Sequence, residues 1–151
     1  VAGTLWLLRH GDAEPHGAAA DFERRLTPRG EQQARAAGQA LARMDVQFEA
    51  VFTSPRVRAL DTARLACEAL ALVPVVHEPL SGGFDDHDAD ALLAGLDGPV
   101  LLVGHEPDLS GLVAALTKAR VEMRKGGLAA IRAGRLLALL RPHEIELVAM
   151  Q

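Results

Sequence analysis

Thr4-Leu5-Trp6-Leu7-Leu8-Arg9-His10-Gly11 is an apolar strand that stops at an Arg-His-Gly turn. A cation beside an imidazole at a strand end implies an anion meant to sit there. The pattern returns twice. Val51-Phe52-Thr53-Ser54-Pro55-Arg56 ends a second short strand in an arginine, and Val100-Leu101-Leu102-Val103-Gly104-His105 ends another in a histidine. Open α/β sheets bind ligands outside the carboxyl ends of their strands. Two arginines and two histidines delivered there make a local cationic, proton-exchanging site suited to phosphate.

Strand and helix patterns alternate around these segments, which predicts an α/β fold: a three-layer αβα sandwich with a mixed, mostly parallel central sheet. Leu5 to Leu8 reads as the first strand. Thr27-Pro28 reads as the cap and first-turn proline of a helix, with Ala34, Ala37, Leu41 and Met44 at helical spacing. Glu49 to Thr53 follows as a strand, and Ser54-Pro55 repeats the cap-plus-proline start for a helix with Leu60, Ala63, Cys67 and Leu70 on one face. Val73 to His77 reads as a third strand, Ala89 to Leu96 as a short helix and Pro99 to Val103 as a fourth strand. Pro107 opens a helix carrying Leu109, Leu112, Val113 and Leu116 in the i, i+3, i+4, i+7 pattern. From Leu128 onward the signals are β-like, with turns at Ala133-Gly134 and Arg141-Pro142-His143, predicting strands that extend the sheet partly antiparallel. With no internal repeat and no linker, residues 1–151 read as one domain, long enough for a proper core.

A net charge of −4 speaks against a nucleic-acid surface. Cys67 is the single cysteine and fits a reducing compartment, and its helical position places it in the core rather than at a nucleophilic site. No apolar run reaches membrane-spanning length and the start of the chain is not a cationic leader, so a soluble cytoplasmic protein without a membrane partner is expected. The acidic run Asp85-Asp86-His87-Asp88, with Asp90, matches no standard metal spacing and reads as a solvated loop. His16, His77 and His143 read as structural, and no Gly-x-Ser-x-Gly elbow is present.

The chemistry these residues allow is phosphoryl transfer. His10 as nucleophile needs one free ring nitrogen, with the other held by a hydrogen bond that sets the tautomer. Gly11 would let the chain turn sharply and leave room for the phosphoryl group. Arg9 and Arg56 would grip phosphate oxygens with planar forks, and His105 would donate to an oxygen as charge develops. Arg58, one residue beyond Val57, reads as a solvated or salt-bridged helix residue. Two guanidiniums and an imidazole supply the electrostatics without a metal or other cofactor.

Leu8-Arg9-His10-Gly11-Asp12-Ala13-Glu14 resembles the opening of the histidine phosphatase superfamily, the phosphoglycerate-mutase-like proteins. Leu26-Thr27-Pro28-Arg29-Gly30-Glu31-Gln32-Gln33-Ala34 is similar to its Leu-Thr-x-x-Gly-x-x-Gln-Ala segment, and Ser54 to Ala63 to its Ser-x-x-x-Arg-Ala-x-x-Thr-Ala block. Val103-Gly104-His105-Glu106-Pro107 matches the position of its second histidine. The four blocks occur in family order and span most of the chain. The short length, the Arg-His-Gly-Asp-Ala-Glu opening and Lys125-Gly126-Gly127-Leu128-Ala129 resemble the small SixA-type phosphohistidine phosphatases.

The resemblance implies a metal-independent phosphatase with His10 phosphorylated in the cycle, Arg9 and Arg56 binding phosphate and His105 completing the pocket. It also implies a phosphohistidine protein of a phosphorelay or phosphotransfer system as partner. Larger members carry an acidic proton donor after the third strand. Here His77 to Asp86 lacks that motif, leaving Glu78 and Asp85 as candidates. An imidazole leaves phosphorus more easily than an alkoxide, so a missing acid fits a phosphoramidate substrate. A small-molecule phosphomonoesterase and a non-catalytic phosphate-binding adaptor are the rival readings.

Overall fold

The computed structural model describes residues 3–151. Six strands form one sheet in the order β3-β2-β4-β1-β5-β6. They are β1 (Leu5–Arg9), β2 (Ala50–Thr53), β3 (Val75–Val76), β4 (Val100–Gly104), β5 (Leu128–Arg132) and β6 (Arg135–Leu140). The first four run parallel, while β5 pairs antiparallel with both β1 and β6. The helices are α1 (Pro28–Arg43), α2 (Val57–Leu70), α3 (Asp86–Leu93), α4 (Asp108–Thr117) and α5 (Pro142–Ala149).

Alternation along the central strands divides the core in two. Trp6 and Leu8, Leu101 and Val103, Leu128 and Ala130 face one layer, where they meet α1, α2 and Ile145 of α5. Leu5 and Leu7, Val100 and Leu102, Ala129 and Ile131 face the other, against α3, α4 and Leu80, Phe84 and Met123. Both faces of β1 and β4 are buried, which is why these strands read as continuous apolar runs. The αβα architecture with a mostly parallel sheet is as the sequence predicts.

On the first layer the helices offer small residues. Ala34, Ala37, Ala40 and Leu41 of α1 are fully buried, and so are Ala59, Ala63 and Ala66 of α2. A Cβ on Gly38 would lie 2.1 Å from the Ala66 carbonyl oxygen, so glycine is what lets the two helices touch. Neither backbone can yield there. Gly38→Ala is expected to cost about 2–3 kcal/mol, read as a melting temperature lower by about 5–10 °C.

Several boundaries differ from expectation. Met44 is not on the buried face: it is the residue that ends α1 and is 37 % exposed. Only Val75–Val76 of the third strand pairs, at an exposed edge of the sheet. The short helix begins at Asp86, earlier than expected, because Asp85 caps it: its carboxylate accepts the Asp88 amide while Asp88 accepts the Asp85 amide. The residues after Leu140 are helix, not strand. Pro142 in the first turn and Glu144 returning to the Arg141 amide start α5, whose Ile145 seals the first core layer.

Candidate active site

Arg9, His10, Ser54 and His105 all sit at or just beyond the carboxyl ends of β1, β2 and β4, the three parallel strands at the middle of the sheet. The His10 and His105 ring centroids are 5.3 Å apart, and each residue is only 6 % exposed. The sheet itself creates this pairing, since β1 and β4 run in parallel register with Arg9 opposite Gly104 and the His10 amide bonded to the Gly104 carbonyl.

His10 Nδ1 lies 2.7 Å from the Gly11 carbonyl oxygen. A carbonyl only accepts, so Nδ1 carries the proton and Nε2 keeps its lone pair. Burial, and to a lesser degree the charges of Arg58, Arg9 and Lys125, push the His10 pKa down to about 4. The ring is neutral at physiological pH. The backbone around it is fixed from the far end of the chain, because the Gly126 amide donates to the carbonyls of both Arg9 and His10.

Gly11 also carries a packing constraint. A Cβ there would lie 2.5 Å from the Gly30 carbonyl oxygen, and a Cβ on Gly30 would lie 1.9 Å from that of Asp12. The paired glycines let the loop after β1 lie against the first turn of α1. The Gly11 amide then donates to Thr62 Oγ1 of α2, which itself donates to the Arg58 carbonyl.

His105 Nε2 is 2.7 Å from Ser54 Oγ, which also accepts the Arg56 amide. Ser54 is therefore not a helix cap: α2 begins after Arg56, and no side chain caps it. Burial, then the charges of His10, Arg58 and Arg56, lower the His105 pKa to about 3.

The arginines divide differently from expectation. Of the two alternatives read for Arg58, it is the salt-bridged one that holds: Nη2 lies 3.4 Å from the Asp21 carboxylate. Arg58 is 6 % exposed, its guanidinium donates to the Asp21 carbonyl at 2.7 Å, and its charge acts on both imidazoles. Arg56 is half-buried, with Nε bonded to the Ser81 carbonyl and Nη1 2.5 Å from the Asp21 carboxylate. Arg9 donates to the Met123 carbonyl at 2.9 Å. Met123 in turn donates its amide to Ser110, which is bonded to Glu106, whose charge supports the Arg9 cation against burial. Three buried nitrogens at this site have no protein partner: Arg9 Nε, Arg58 Nε and His105 Nδ1. Buried polar atoms without a partner are rare, and the two guanidinium donors call for an acceptor.

Asp21 is the carboxylate that reasoning from sequence missed. It contacts Arg24, Arg56 and Arg58 and lies 3.7 Å from His16. Hydrogen bonding from Arg24 and the charges of the three arginines outweigh its desolvation and lower its pKa, so it is a fixed anion. Glu78 is exposed at the start of a short turn over Glu78–Ser81, and Asp85 is committed to capping α3, which lowers its pKa. The Asp21 charge acts on His105, where it opposes the lowering of that ring's pKa.

Elsewhere, Cys67 is 3 % exposed and its thiol pKa is raised to about 11 by burial, while His77 packs edge-on against Phe52 and Phe84. Among the described residues, no three His, Cys, Asp or Glu side chains gather as a metal-binding group, and no helix is long and apolar enough to cross a membrane.

The buried neutral histidines make stability depend on pH. Unfolded, each ring takes up a proton as pH falls through 6.5; folded, His10 and His105 resist protonation to about pH 4 and about pH 3. The unfolded chain thus binds more protons below pH 6.5, and stability falls with falling pH, by up to about 1.4 kcal/mol per unit for each ring. Melting temperatures between pH 7 and pH 5 should decline accordingly, and His105→Gln should flatten the slope.

A family model described as the histidine phosphatase superfamily (branch 1) matches residues 5–81, which include Arg9, His10, Arg56 and Arg58 but stop short of His105. An uncharacterized protein of Picosynechococcus is 33 % identical over 143 residues, covering 86 % of this chain and 85 % of that protein. The structure of a protein histidine phosphatase SixA complexed with tungstate superposes with a TM-score of 0.84 at 26 % identity, covering 94 % of this chain and 99 % of the other. A candidate phosphohistidine phosphatase SixA from Agrobacterium tumefaciens gives 0.81 at 21 % identity, with 94 % and 99 % covered. The chain belongs to the histidine phosphatase superfamily and is a phosphatase of SixA-like fold.

Proposed function

We propose that the enzyme removes phosphate from phosphohistidine on a protein, through a phosphohistidine intermediate on His10 and without a metal. The observation that carries this reading is the state of His10. Its proton is held on Nδ1 by Gly11, its ring stays neutral, and three unpartnered nitrogens lie in the same buried cluster. In the first step His10 Nε2 bonds to phosphorus as the substrate's P–N bond breaks, and the departing imidazole nitrogen takes a proton from solvent water. In the second, water attacks phosphorus, the His10–phosphorus bond breaks, and inorganic phosphate leaves with His10 neutral again.

Arg9 and Arg58, each with an unpartnered buried Nε, hold the phosphoryl oxygens, and the half-buried Arg56 adds its charge. Preorganised charge of this kind supplies most of the catalysis in phosphoryl transfer. Ser54 accepts the Arg56 amide and pairs with His105 Nε2; in the tautomer where its hydroxyl donates to Nε2, the unpartnered Nδ1 carries a proton to offer the phosphoryl group. The carboxylate whose charge acts on His105, Asp21, is held ionised by arginines and is no proton donor, which supports this substrate reading. A leaving group that needs little protonation suits that site.

Rapid quenching with a ³²P-labelled aryl phosphate and chelator should trap label on the protein that survives base and is lost in acid. No label, with steady turnover intact, overturns the covalent route. Comparing kcat/KM on a phosphohistidine peptide and the aryl ester then tests the substrate. Higher values on the ester, with loss in Glu78→Gln or Asp85→Asn, would make the enzyme a phosphomonoesterase.

A further inference from the structure

Beside His10, sharing Arg9 as a wall, lies an open groove of about 600 Å³. Arg29 from the start of α1, Arg124 and Lys125 from the loop before β5, and Arg141 at the start of α5 line it, against Asp12 and Glu122. This is a concentration of positive charge on a chain of net charge −4. Three of the cations are half-engaged: Arg29 pairs with Glu146 at 2.6 Å, Arg141 with Glu144 at 2.8 Å, and Lys125 lies 3.7 Å from Asp12. Arg124 is exposed and makes no ion pair among the described residues. The groove and the nucleophile share one field, since the Lys125 charge acts on His10.

We infer that this groove, with Arg124 as its principal contact, docks a carboxylate-rich surface flanking the phosphorylated histidine of the substrate protein. The inference rests on the substrate reading above and adds to it the chemistry that selects the partner. A compact bisphosphate would call for buried, convergent donors like those around His10. The groove instead offers exposed cations from three separate elements, which suits a broad acidic face and gives selection and encounter rate rather than a tight grip.

The test uses the whole chain and two synthetic phosphohistidine peptides, one flanked by four glutamates and one by four glutamines. At low salt the wild type should prefer the glutamate peptide by about tenfold in kcat/KM, and 0.5 M salt should abolish the preference by screening. Arg124→Glu should lose the preference while hydrolysing an aryl phosphate at the wild-type rate, and Arg124→Lys should restore most of it. Equal use of both peptides by the wild type, or a preference untouched in Arg124→Glu, overturns the inference.

If neither peptide is hydrolysed but the aryl ester is, the substrate reading fails and the groove is judged separately. Inhibition of ester hydrolysis by the unphosphorylated glutamate peptide, lost in Arg124→Glu, still supports acidic docking. No such inhibition overturns it, as does Arg124-dependent inhibition by pyrophosphate alone, which would mark a small bisphosphate subsite.

Discussion

His10→Ala is expected to lower kcat/KM on both an aryl phosphate and a phosphohistidine peptide by about 10⁴-fold or more, the scale of losing a covalent nucleophile. No substitute lies nearby. His105, the other ring in the site, has its Nε2 committed to Ser54, and Cys67 is a core thiol with its pKa raised to about 11. The variant should remain folded, because among the described residues the only side-chain hydrogen bond lost is the one to the adjacent Gly11 carbonyl. It should also lose less stability than the wild type between pH 7 and pH 5, having one fewer ring that takes up a proton on unfolding. Steady-state kinetics beside thermal melts at the two pH values check both halves. More than about 1 % residual activity would remove His10 from the nucleophile's role.

Arg58→Ala is expected to reduce kcat by about 10²- to 10³-fold, the loss typical of a preorganised electrostatic contact. Arg56→Ala should fall by only about tenfold, in keeping with a weaker, solvent-screened contact. The difference follows from burial and commitment. Arg58 is enclosed with a spare Nε, whereas Arg56 is half-buried with its donors engaged by Ser81 and Asp21. Lysine at position 58 should not restore the rate, since a point charge does not replace a planar fork of donors. Removing Arg58 also withdraws a charge that disfavours protonation of both imidazoles, so the acid limb of the pH–rate profile should move upward. Equal losses from the two alanine variants would return Arg56 to the principal role.

The central strands were legible because both their faces are buried, and the helix starting at Thr27-Pro28 because its cap is local: Thr27 accepts the Gly30 amide. The C-terminal helix was not legible. Its eight residues follow an antiparallel pair of strands, and only one of them, Ile145, is fully buried. The placing of His10 beside His105 was readable from strand ends. The burial of Arg58 was not, because an arginine in a helix's first turn is ordinarily solvated. What buries Arg58 is the Asp21 carbonyl, 37 residues earlier in a segment with no apolar pattern. Asp21 itself carries no local signal at all. The close approach of Gly11 to the backbone of Gly30 was not legible either, because it lies across space.

The position of β1 in the sheet sets when the enzyme can first exist. The strand that leads into the proposed nucleophile, His10, is made from residues 5–9, yet its two neighbours are β4, residues 100–104, and β5, residues 128–132. Loop closures of that length precede any reward in pairing, so β1 joins the sheet late and the folding rate is governed by non-local contacts. On the ribosome, helices α1 and α2 can pack long before the strand that carries the chemistry finds its partners. Until about residue 132 has emerged, the nascent chain holds its nucleophile on an unpaired strand and has no competent site.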